Sequence, residues 1–259
     1  ITQSGSIAKH DDRQKIIGQK ALKPIALIKT GRTIPQIIPR YGDFENWFAE
    51  AMEADDLLRL DVFRQQDLPA PESLAGVVIT GSRAMVSDKE DWSERTAEWL
   101  LKGIREGLSI LGVCYGHQLL AHALGGCVGP NPAGRQIGTI SAQLLGAGRK
   151  DTLLGHLPDS FSAQTSHSEV VLGLPADAER LATSPLSENF SIRFAENVWG
   201  VQFHPEFSDS VMDEYIRHRS QVLREEGLDP DKLLMQVTDA PEASSVLKKF
   251  LELLVQKHR

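Results

Sequence analysis

The stretch SILGVCYGHQLLAHALGG, from Ser109 to Gly126, is the most informative part of this sequence about its fold. An apolar run leads into Cys114, and a helical pattern follows it up to two closing glycines. Such a run is typical of a strand buried on both faces, and a glycine pair is typical of a helix C-terminus. The stretch therefore predicts a buried strand, a sharp corner at Cys114 and a helix over Tyr115–Leu124.

The same alternation of apolar strands and helices precedes this stretch. Pro24–Gly31 and Leu74–Ser82 read as buried strands, and LDVFR at 60–64 reads as a shorter one. Asp43 is a candidate cap for an amphipathic helix, and Trp92–Arg105 has helical spacing. Strands that alternate with helices predict an α/β fold with an open, mostly parallel, flavodoxin-like central sheet flanked by helices.

From about residue 137 to 202 the pattern changes to short strands in which polar and apolar residues alternate. FSAQTSHSEVV at 161–171 and SIRFAENVWGVQF at 191–203 each read as one such strand. Alternation of this kind is typical of antiparallel strands with one exposed face. We therefore expect a small antiparallel extension of the same domain.

Residues 208–259 return to helical spacing, interrupted by an acidic, proline-marked loop at about 229–242. We read these helices as packed on the same domain. The predicted organisation has three segments: an N-terminal arm of residues 1–23, a domain of residues 24–210 and a C-terminal helical extension of residues 211–259.

The composition argues against a nucleic-acid-binding, a disulfide-rich or a membrane-spanning protein. The formal net charge of the 259 residues is −7, which argues against nucleic acid as a main partner. The two cysteines, Cys114 and Cys127, are too few for a disulfide framework and indicate a reducing compartment. No run approaches the roughly 18 apolar residues of a membrane helix, and residues 1–23 contain no signal-peptide core. We expect a cytoplasmic protein with no membrane partner.

The glycines around Cys114 suggest a chemical use for its thiol. At a strand-to-helix corner, side chains two residues before and two after the central residue would collide, and Gly112 and Gly116 remove that collision. The helix N-terminus favours a negative charge on the sulfur, and the Tyr115 N–H points toward the same space. Buried cysteines are also common core residues, an alternative that these residues alone leave open for Cys114. We interpret Cys127 as such a core residue.

A nucleophilic cysteine needs a base, and His204 is the candidate among eight histidines. It follows a predicted strand, and Glu206 lies two residues further on, so both side chains project to one side of an extended chain. Pro205 stiffens the spacer. The carboxylate can then fix the imidazole tautomer, although His-x-Glu pairs also occur by chance. We expect no metal site, because no cluster of four ligands has zinc-like spacing.

Four motifs in order make the chain recognisable. VITGSRAMV at 78–86, GVCYGHQ at 112–118, TSHSEVV at 165–171 and GVQFHPE at 200–206 together resemble the class I (triad-type) glutamine amidotransferases, in particular the GMP-synthase-like glutaminase subfamily. The resemblance covers residues 24–209. It implies an enzyme that hydrolyses the side-chain amide of glutamine through a thioester, giving glutamate and ammonia without a cofactor.

The same resemblance assigns roles to individual residues. Cys114 is the nucleophile, His204 the acid and base, and Glu206 the orienting carboxylate. The implied oxyanion donors are the backbone N–H groups of Tyr115 and of Gly81 or Ser82. The implied substrate-binding residues are Gln118, Ser166, His167 and Glu169.

Three positions depart from the family pattern. Glu169 stands where the family has an aspartate that reaches the α-ammonium of the substrate, and a solvent-facing glutamate is the alternative interpretation. The oxyanion loop reads Gly81-Ser82-Arg83 where the family has proline third, which predicts a looser loop and places a charge near the entrance. Gln136 replaces a common glutamate.

The fate of the ammonia is the remaining question. Two-part amidotransferases pass it to a synthetase that activates an acceptor with ATP, and this chain has no Walker-type phosphate loop. We therefore expect a separate synthetase or acceptor protein. One alternative is a γ-glutamyl peptide hydrolase that acts on γ-glutamyl amides other than glutamine. A second alternative is a non-catalytic binding module, against which the intact triad argues.

Overall fold

A nine-stranded sheet dominates the part of the chain that the computed structural model describes, residues 23–257. The predicted N-terminal arm lies outside these residues, apart from Lys23. The strands, with those of a second, smaller sheet, are β1 (Ile25–Lys29), β2 (Leu58–Asp61), β3 (Gly76–Ile79), β4 (Ile110–Val113), β5 (Cys127–Pro130), β6 (Gln136–Leu144), β7 (Ser160–His167), β8 (Glu169–Gly173), β9 (Glu179–Ser184), β10 (Ser187–Ala195) and β11 (Val198–Val201).

The large sheet has a parallel half and an antiparallel half. Across it the order is β2-β1-β3-β4-β11-β10-β9-β6-β7. The pairings from β2 to β11 are parallel, and those from β11 to β7 are antiparallel. Strands β5 and β8 form the separate two-stranded antiparallel sheet. The predicted fold class is confirmed: an open α/β sheet with a parallel part, an antiparallel extension and flanking helices.

Helices cover both faces of the parallel half. They are α1 (Ile38–Tyr41), α2 (Phe44–Met52), α3 (Asp91–Arg105), α4 (Tyr115–Ala123), α5 (Asp209–His218), α6 (Ser220–Glu225), α7 (Pro230–Met235) and α8 (Pro241–Lys257). Successive residues of β1 face opposite sides: Leu27 belongs to a core cluster with α2, α5 and α8, whereas Ala26 and Ile28 belong to one with α3 and α4. This double burial explains the continuous apolar runs in the sequence.

The predicted cap of α2 is confirmed. The Asp43 carboxylate accepts the Phe44 N–H, and the Asn46 side chain accepts the Asp43 N–H, which forms a reciprocal capping box. Asp43 also pairs with the buried Lys29 ammonium at 2.8 Å. The cap therefore ties the start of α2 to the carboxyl end of β1.

Two segments predicted as single strands are each two strands. The 161–171 segment breaks at Ser168, so that β7 stays in the large sheet while β8 pairs with β5. The 191–203 segment is a hairpin, and its second strand, β11, pairs in parallel with β4. The breaks themselves, at Ser168 and at residues 196–197, contain neither glycine nor proline, so the strongest local turn signals are missing at both.

The structure differs from the sequence predictions in three smaller details. β2 spans Leu58–Asp61 and continues as a 3-10 turn over Val62–Arg64, so only part of LDVFR is strand. The predicted loop at 229–242 contains α7. Cys127, which we read as a core residue, is exposed at the start of β5. That interpretation was wrong because β5 is a short strand that, within residues 23–257, pairs with β8 alone.

The helices that follow residue 210 are continuous with the core of the large sheet. Met212 of α5 and Phe250 of α8 are fully buried in the same cluster as Leu27. The division into residues 24–210 and 211–259 stays a prediction, since one core spans both. No helix within residues 23–257 is long and apolar enough to cross a membrane.

The corner after β4 yields a test of the fold. A Cβ at position 112 would lie 2.5 Å from the backbone carbonyl of Gly116, so the backbone itself must shift. Gly112→Ala should destabilise the protein by about 1–3 kcal/mol or more, measured by urea unfolding. Gly146→Ala is the matched control, because nothing lies within 4 Å of its added Cβ. Equal unfolding midpoints for the two variants would contradict the corner geometry.

Candidate active site

Cys114 occupies a strained corner between β4 and α4. Its φ of 50° and ψ of −97° are a conformation that side chains rarely adopt. The Cys114 N–H donates to the Val201 carbonyl at 2.8 Å, which fixes the corner to the end of β11. The thiol is thus held at the N-terminus of α4, at the carboxyl edge of the parallel strands.

His204 and Glu206 form a buried pair just past β11. His204 Nδ1 lies 2.7 Å from Glu206 Oε1, and the two residues are 3% and 6% exposed. The His204 N–H donates to the Gln164 carbonyl at 2.8 Å, so the antiparallel half of the sheet holds the backbone of this pair. The carboxylate holds a proton on Nδ1, which leaves Nε2 free of the carboxylate.

The structure brings His204 and Cys114 together, and Gly81 lies against both. A Cβ on Gly81 would be 2.7 Å from His204 Cε1 and 3.6 Å from Cys114 Cβ. Burial lowers the pKa of His204, but the Glu206 carboxylate and the Cys114 sulfur outweigh burial and raise it to about 10. The imidazole is therefore charged at neutral pH and can pair with a thiolate.

An aromatic stack fixes the plane of the imidazole. The Phe207 ring lies 4.1 Å from the His204 ring at an interplanar angle of 20°, and Phe44 lies roughly parallel to His204 at 6.4 Å. Aromatic rings attract a cation over their faces, so the stack favours the charged imidazole. No signal in the sequence assigns Phe207 to the site, since a phenylalanine after a strand is usually a core residue.

Two buried threonines orient the backbone of the predicted oxyanion loop. The Gly81 carbonyl accepts the Thr30 hydroxyl at 3.0 Å and the Thr80 hydroxyl at 2.9 Å. Because the C=O and N–H of one peptide unit point in opposite directions, the Ser82 N–H points away from these threonines. Among the described residues, the N–H groups of Gly81, Ser82 and Tyr115 have no hydrogen-bond acceptor, so all three remain free to bind an oxyanion.

Glu169 holds the far end of the same loop. Its carboxylate accepts the Val86 N–H at 2.9 Å, the Ser87 N–H at 3.4 Å and a short hydrogen bond from the Ser87 hydroxyl. At its near end, the Ser82 hydroxyl accepts the Ala84 N–H at 3.1 Å. Glu169 is 3% exposed, so the interpretation as a solvent-facing glutamate is wrong. The loop is held at both ends without the family's proline.

Gln118 binds the backbone of Glu169. The Gln118 Nε2 donates to the Glu169 carbonyl at 2.7 Å and to Gln202 Oε1 at 3.1 Å. Both amide protons are therefore used within the protein. The predicted role of Gln118 in holding a substrate stays a proposal. Gln118 could bind the substrate directly through its Oε1, or indirectly by positioning Glu169.

The neighbouring Ser166 and His167 differ in what they offer a ligand. His167 contacts the Glu169 carbonyl at 3.1 Å and Gln136 Oε1 at 3.2 Å, and burial lowers the pKa of His167 to about 3. This neutral imidazole therefore braces the strand. The Ser166 hydroxyl is buried and has no hydrogen-bond partner within residues 23–257. Ser166 is thus free to bind a substrate.

One cleft collects most of these groups. It has a volume of about 50 Å³ and is lined by seven of the ten predicted site residues, with Gly81, His204 and Glu206 beside it. The seven are Ser82, Cys114, Tyr115, Gln118, Ser166, His167 and Glu169. A larger cleft of about 640 Å³ is lined by Glu206 but by neither Cys114 nor His204. We place the site in the smaller cleft, because it contains the thiol.

Several residues of the cleft and its support have no signal in the sequence. Ser87 anchors Glu169, and Arg135 and Arg219 line the cleft. No motif marks these residues, and the arginines come from segments far from Cys114 in sequence. In the part of the chain that the structure describes, no group of three or more His, Cys, Asp or Glu could hold a metal ion.

The chain is similar in sequence to named proteins of two kinds. GMP synthase [glutamine-hydrolyzing] of Aeropyrum pernix is 36% identical over 147 residues, which are 55% of this chain and 27% of that protein. The chain thus matches about a quarter of that relative's length. Gamma-glutamyl peptidase 5 of Arabidopsis thaliana is 26% identical over 223 residues, 82% of this chain and 88% of that protein.

A glutamine amidotransferase from Thermotoga maritima has the same fold. The TM-score is 0.71 at 22% sequence identity, and the match covers 90% of this chain and 99% of that one. The family profile described as "Glutamine amidotransferase class-I" matches residues 54–221, which are more than half of the 259 residues. The matched segment includes the Cys114 corner and the His204–Glu206 pair. This chain therefore belongs to the class-I glutamine amidotransferase family.

Proposed function

We propose that this protein hydrolyses the side-chain amide of glutamine, or of another γ-glutamyl amide, with Cys114, His204 and Glu206 as its catalytic triad. The observation that carries the proposal is the buried His204–Glu206 pair, 2.7 Å apart, beside a thiol at a helix N-terminus. A charged imidazole next to a cysteine is the arrangement that nucleophilic thiol catalysis requires.

In the first half-reaction, the Cys114 thiolate attacks the amide carbon and forms a C–S bond. The carbonyl oxygen becomes an oxyanion, which the free N–H groups of Tyr115 and of Gly81 or Ser82 bind. Each such donor is worth about 3 kcal/mol in the transition state. The C–N bond then breaks, and the His204 imidazolium donates its proton to the departing ammonia or amine.

In the second half-reaction, His204 acts as a base. It takes a proton from a water molecule, which attacks the thioester carbon. The C–S bond breaks, glutamate leaves and the thiolate is restored beside the imidazolium. Glu206 and Phe207 keep the imidazole plane fixed through both steps, since one binds Nδ1 and the other stacks on the ring.

Substrate recognition is assigned to the opposite wall of the cleft. We propose that Glu169 binds the α-ammonium through a charge-assisted hydrogen bond, and that the unpartnered Ser166 hydroxyl binds another polar group of the substrate. Gln118 and His167 hold the Glu169 backbone in place.

Two versions of this function differ in the amide that is hydrolysed and in what receives the released ammonia or amine. In one version, a separate synthetase or acceptor protein receives the ammonia. In the other, the protein is a γ-glutamyl peptide hydrolase. The second version is favoured by the match to gamma-glutamyl peptidase 5, which extends over most of both chains, whereas the GMP synthase match spans 27% of that relative.

Turnover by triad variants tests the proposed function. Release of glutamate from glutamine and from a γ-glutamyl peptide is measured for each variant. Cys114→Ser and His204→Ala should each lower kcat at least about 1,000-fold, whereas Glu206→Gln should lower it less, because Glu206 makes no bond to substrate. Cys127→Ser is the control and should keep full activity. Undiminished turnover by Cys114→Ser would refute the mechanism, and no turnover by the unmodified protein would support a binding module.

The charged imidazole should also appear in the pH dependence of stability. The folded pKa of His204 is about 10, above the roughly 6.5 of an unfolded histidine. Its contribution is therefore complete below about pH 6.5 and is lost as the pH rises toward 10. Urea unfolding between pH 7 and 10 should show a steeper loss for the unmodified protein than for Glu206→Gln. Parallel curves would mean that Glu206 does not hold the proton on His204.

Glu169 has two candidate roles, and Ser87 separates them. If Glu169 binds the α-ammonium, Glu169→Gln should lower kcat/KM about tenfold to a hundredfold, mainly through KM. An N-acetylated substrate should lose the same factor with the unmodified enzyme and little more with the variant. Ser87→Ala removes only the loop contact, so it should change kcat more than KM. If the losses from acetylation and from Glu169→Gln simply add, Glu169 does not touch the ammonium.

A further inference from the structure

Three guanidinium groups line the cleft that holds Cys114. Arg83 lies on the oxyanion loop, Arg135 directly precedes β6, and Arg219 lies between α5 and α6. These residues are separated by 52 or more positions in the sequence, and only the tertiary fold places them at one opening. A cluster of like charges is unusual on a chain whose net charge is −7.

The protein neutralises only one of the three. Arg135 forms a bidentate pair with Glu226, with distances of 2.7 and 2.9 Å. Within residues 23–257, neither Arg83 nor Arg219 makes an ion pair. The carboxylate among the cleft-lining residues is that of Glu169, which sets one negative charge against the two positive charges of Arg83 and Arg219. The opening therefore keeps a surplus of positive charge.

Arg219 is poised to receive a ligand. Its Nε is buried and has no hydrogen-bond partner among the described residues, and its guanidinium carbon lies 5.5 Å from the centre of the Tyr215 ring. Burial lowers the pKa of Arg219, and the positive charges of Arg135 and Arg83 add to the decrease. An arginine nevertheless stays charged. An anion in the cleft would accept the hydrogen bond of the Arg219 Nε–H and would reduce the repulsion between Arg219 and the two other arginines.

The charge on the substrate decides which γ-glutamyl amide fits. Glutamine has one α-carboxylate and one α-ammonium, and its leaving group is neutral ammonia. A γ-glutamyl amino acid has a second carboxylate, on the leaving amine. Guanidinium groups bind carboxylates in a bidentate geometry. Glutamine would leave one of the two unpaired arginines without a partner, whereas a γ-glutamyl amino acid supplies a carboxylate for each.

We propose that Arg83 and Arg219 form a dicarboxylate site that selects γ-glutamyl amino acids or peptides with a free carboxylate on the leaving amine. The inference rests on the proposed hydrolysis at Cys114 and names its substrate class. The chemistry is unchanged: water cleaves the amide, and His204 supplies the proton to the leaving amino acid.

A pair of substrates that differ in one charge tests the site. For the unmodified protein, kcat/KM should be at least about tenfold higher for γ-glutamylglycine than for γ-glutamylglycinamide. At least one of Arg83→Gln and Arg219→Gln should bring this ratio close to one. Arg105→Gln, at the C-terminal end of α3 and outside the cleft, is the control and should keep the ratio. A ratio near one in the unmodified protein, or one that neither variant changes, overturns the proposal.

Alkylation of Cys114 tests the same site without turnover. Iodoacetate is an anion and iodoacetamide is neutral, and the exposed Cys127 provides an internal reference. The rate ratio of iodoacetate to iodoacetamide, read by mass spectrometry, should be severalfold higher at Cys114 than at Cys127, and both arginine variants should lower it. Equal ratios at the two cysteines overturn the arginine site.

The two measurements separate this inference from the function beneath it. Hydrolysis of both substrates without charge preference would sink the arginine site and leave the hydrolase standing. A raised alkylation ratio at Cys114 in a protein that hydrolyses no amide would support the arginine site and contradict the proposed hydrolysis.

Discussion

The parallel pairing of β4 with β11 is the constraint on which the site depends. It sets Gly112 beside Gly200 and Val113 beside Val201, so that both strands end at the same edge. The Cys114 N–H then closes on the Val201 carbonyl, and the chain continues three residues further to His204. The proposed nucleophile and base, separated by 90 positions in the sequence, thus meet because two strands share one register. A shift of one residue would turn either side chain to the opposite face of the sheet.

Burial of the His204–Glu206 pair carries an electrostatic cost that the neighbours offset. Moving an imidazolium out of water is unfavourable, yet the pKa of His204 is raised because a carboxylate and a sulfur lie next to it. Phe207 adds an aromatic face on one side. Gly81 leaves space for the imidazole on another side of the ring, since any side chain at position 81 would clash with it. The site is therefore rigid around its charges, which favours electrostatic stabilisation of a transition state.

The cleft links Glu169, the residue proposed to bind the substrate, to the loop proposed to bind the oxyanion. The Glu169 carboxylate holds Val86 and Ser87, while its carbonyl receives Gln118 and contacts His167. One residue thus joins the loop, α4 and the end of β7. The aspartate of the family is one methylene shorter than this glutamate. The longer side chain accounts for a loop that is held in place although it lacks the family's proline.

The alternation of strands and helices, the Asp43 cap and the corner at Cys114 could be predicted from the residues alone, as could the motifs that place Cys114, His204 and Glu206 in one family. These features depend on neighbours within a few residues, where periodicity and glycine spacing are direct physical signals. Other features emerge from the packing of distant segments: β7 ends at His167, β11 joins the parallel half, and Ser87, Phe207, Arg135 and Arg219 surround the site. Periodicity reports which side of a strand is buried, but it does not report which strand lies beside it. The contact between Ser87 and Glu169, and the convergence of three arginines, depend on that unspecified pairing.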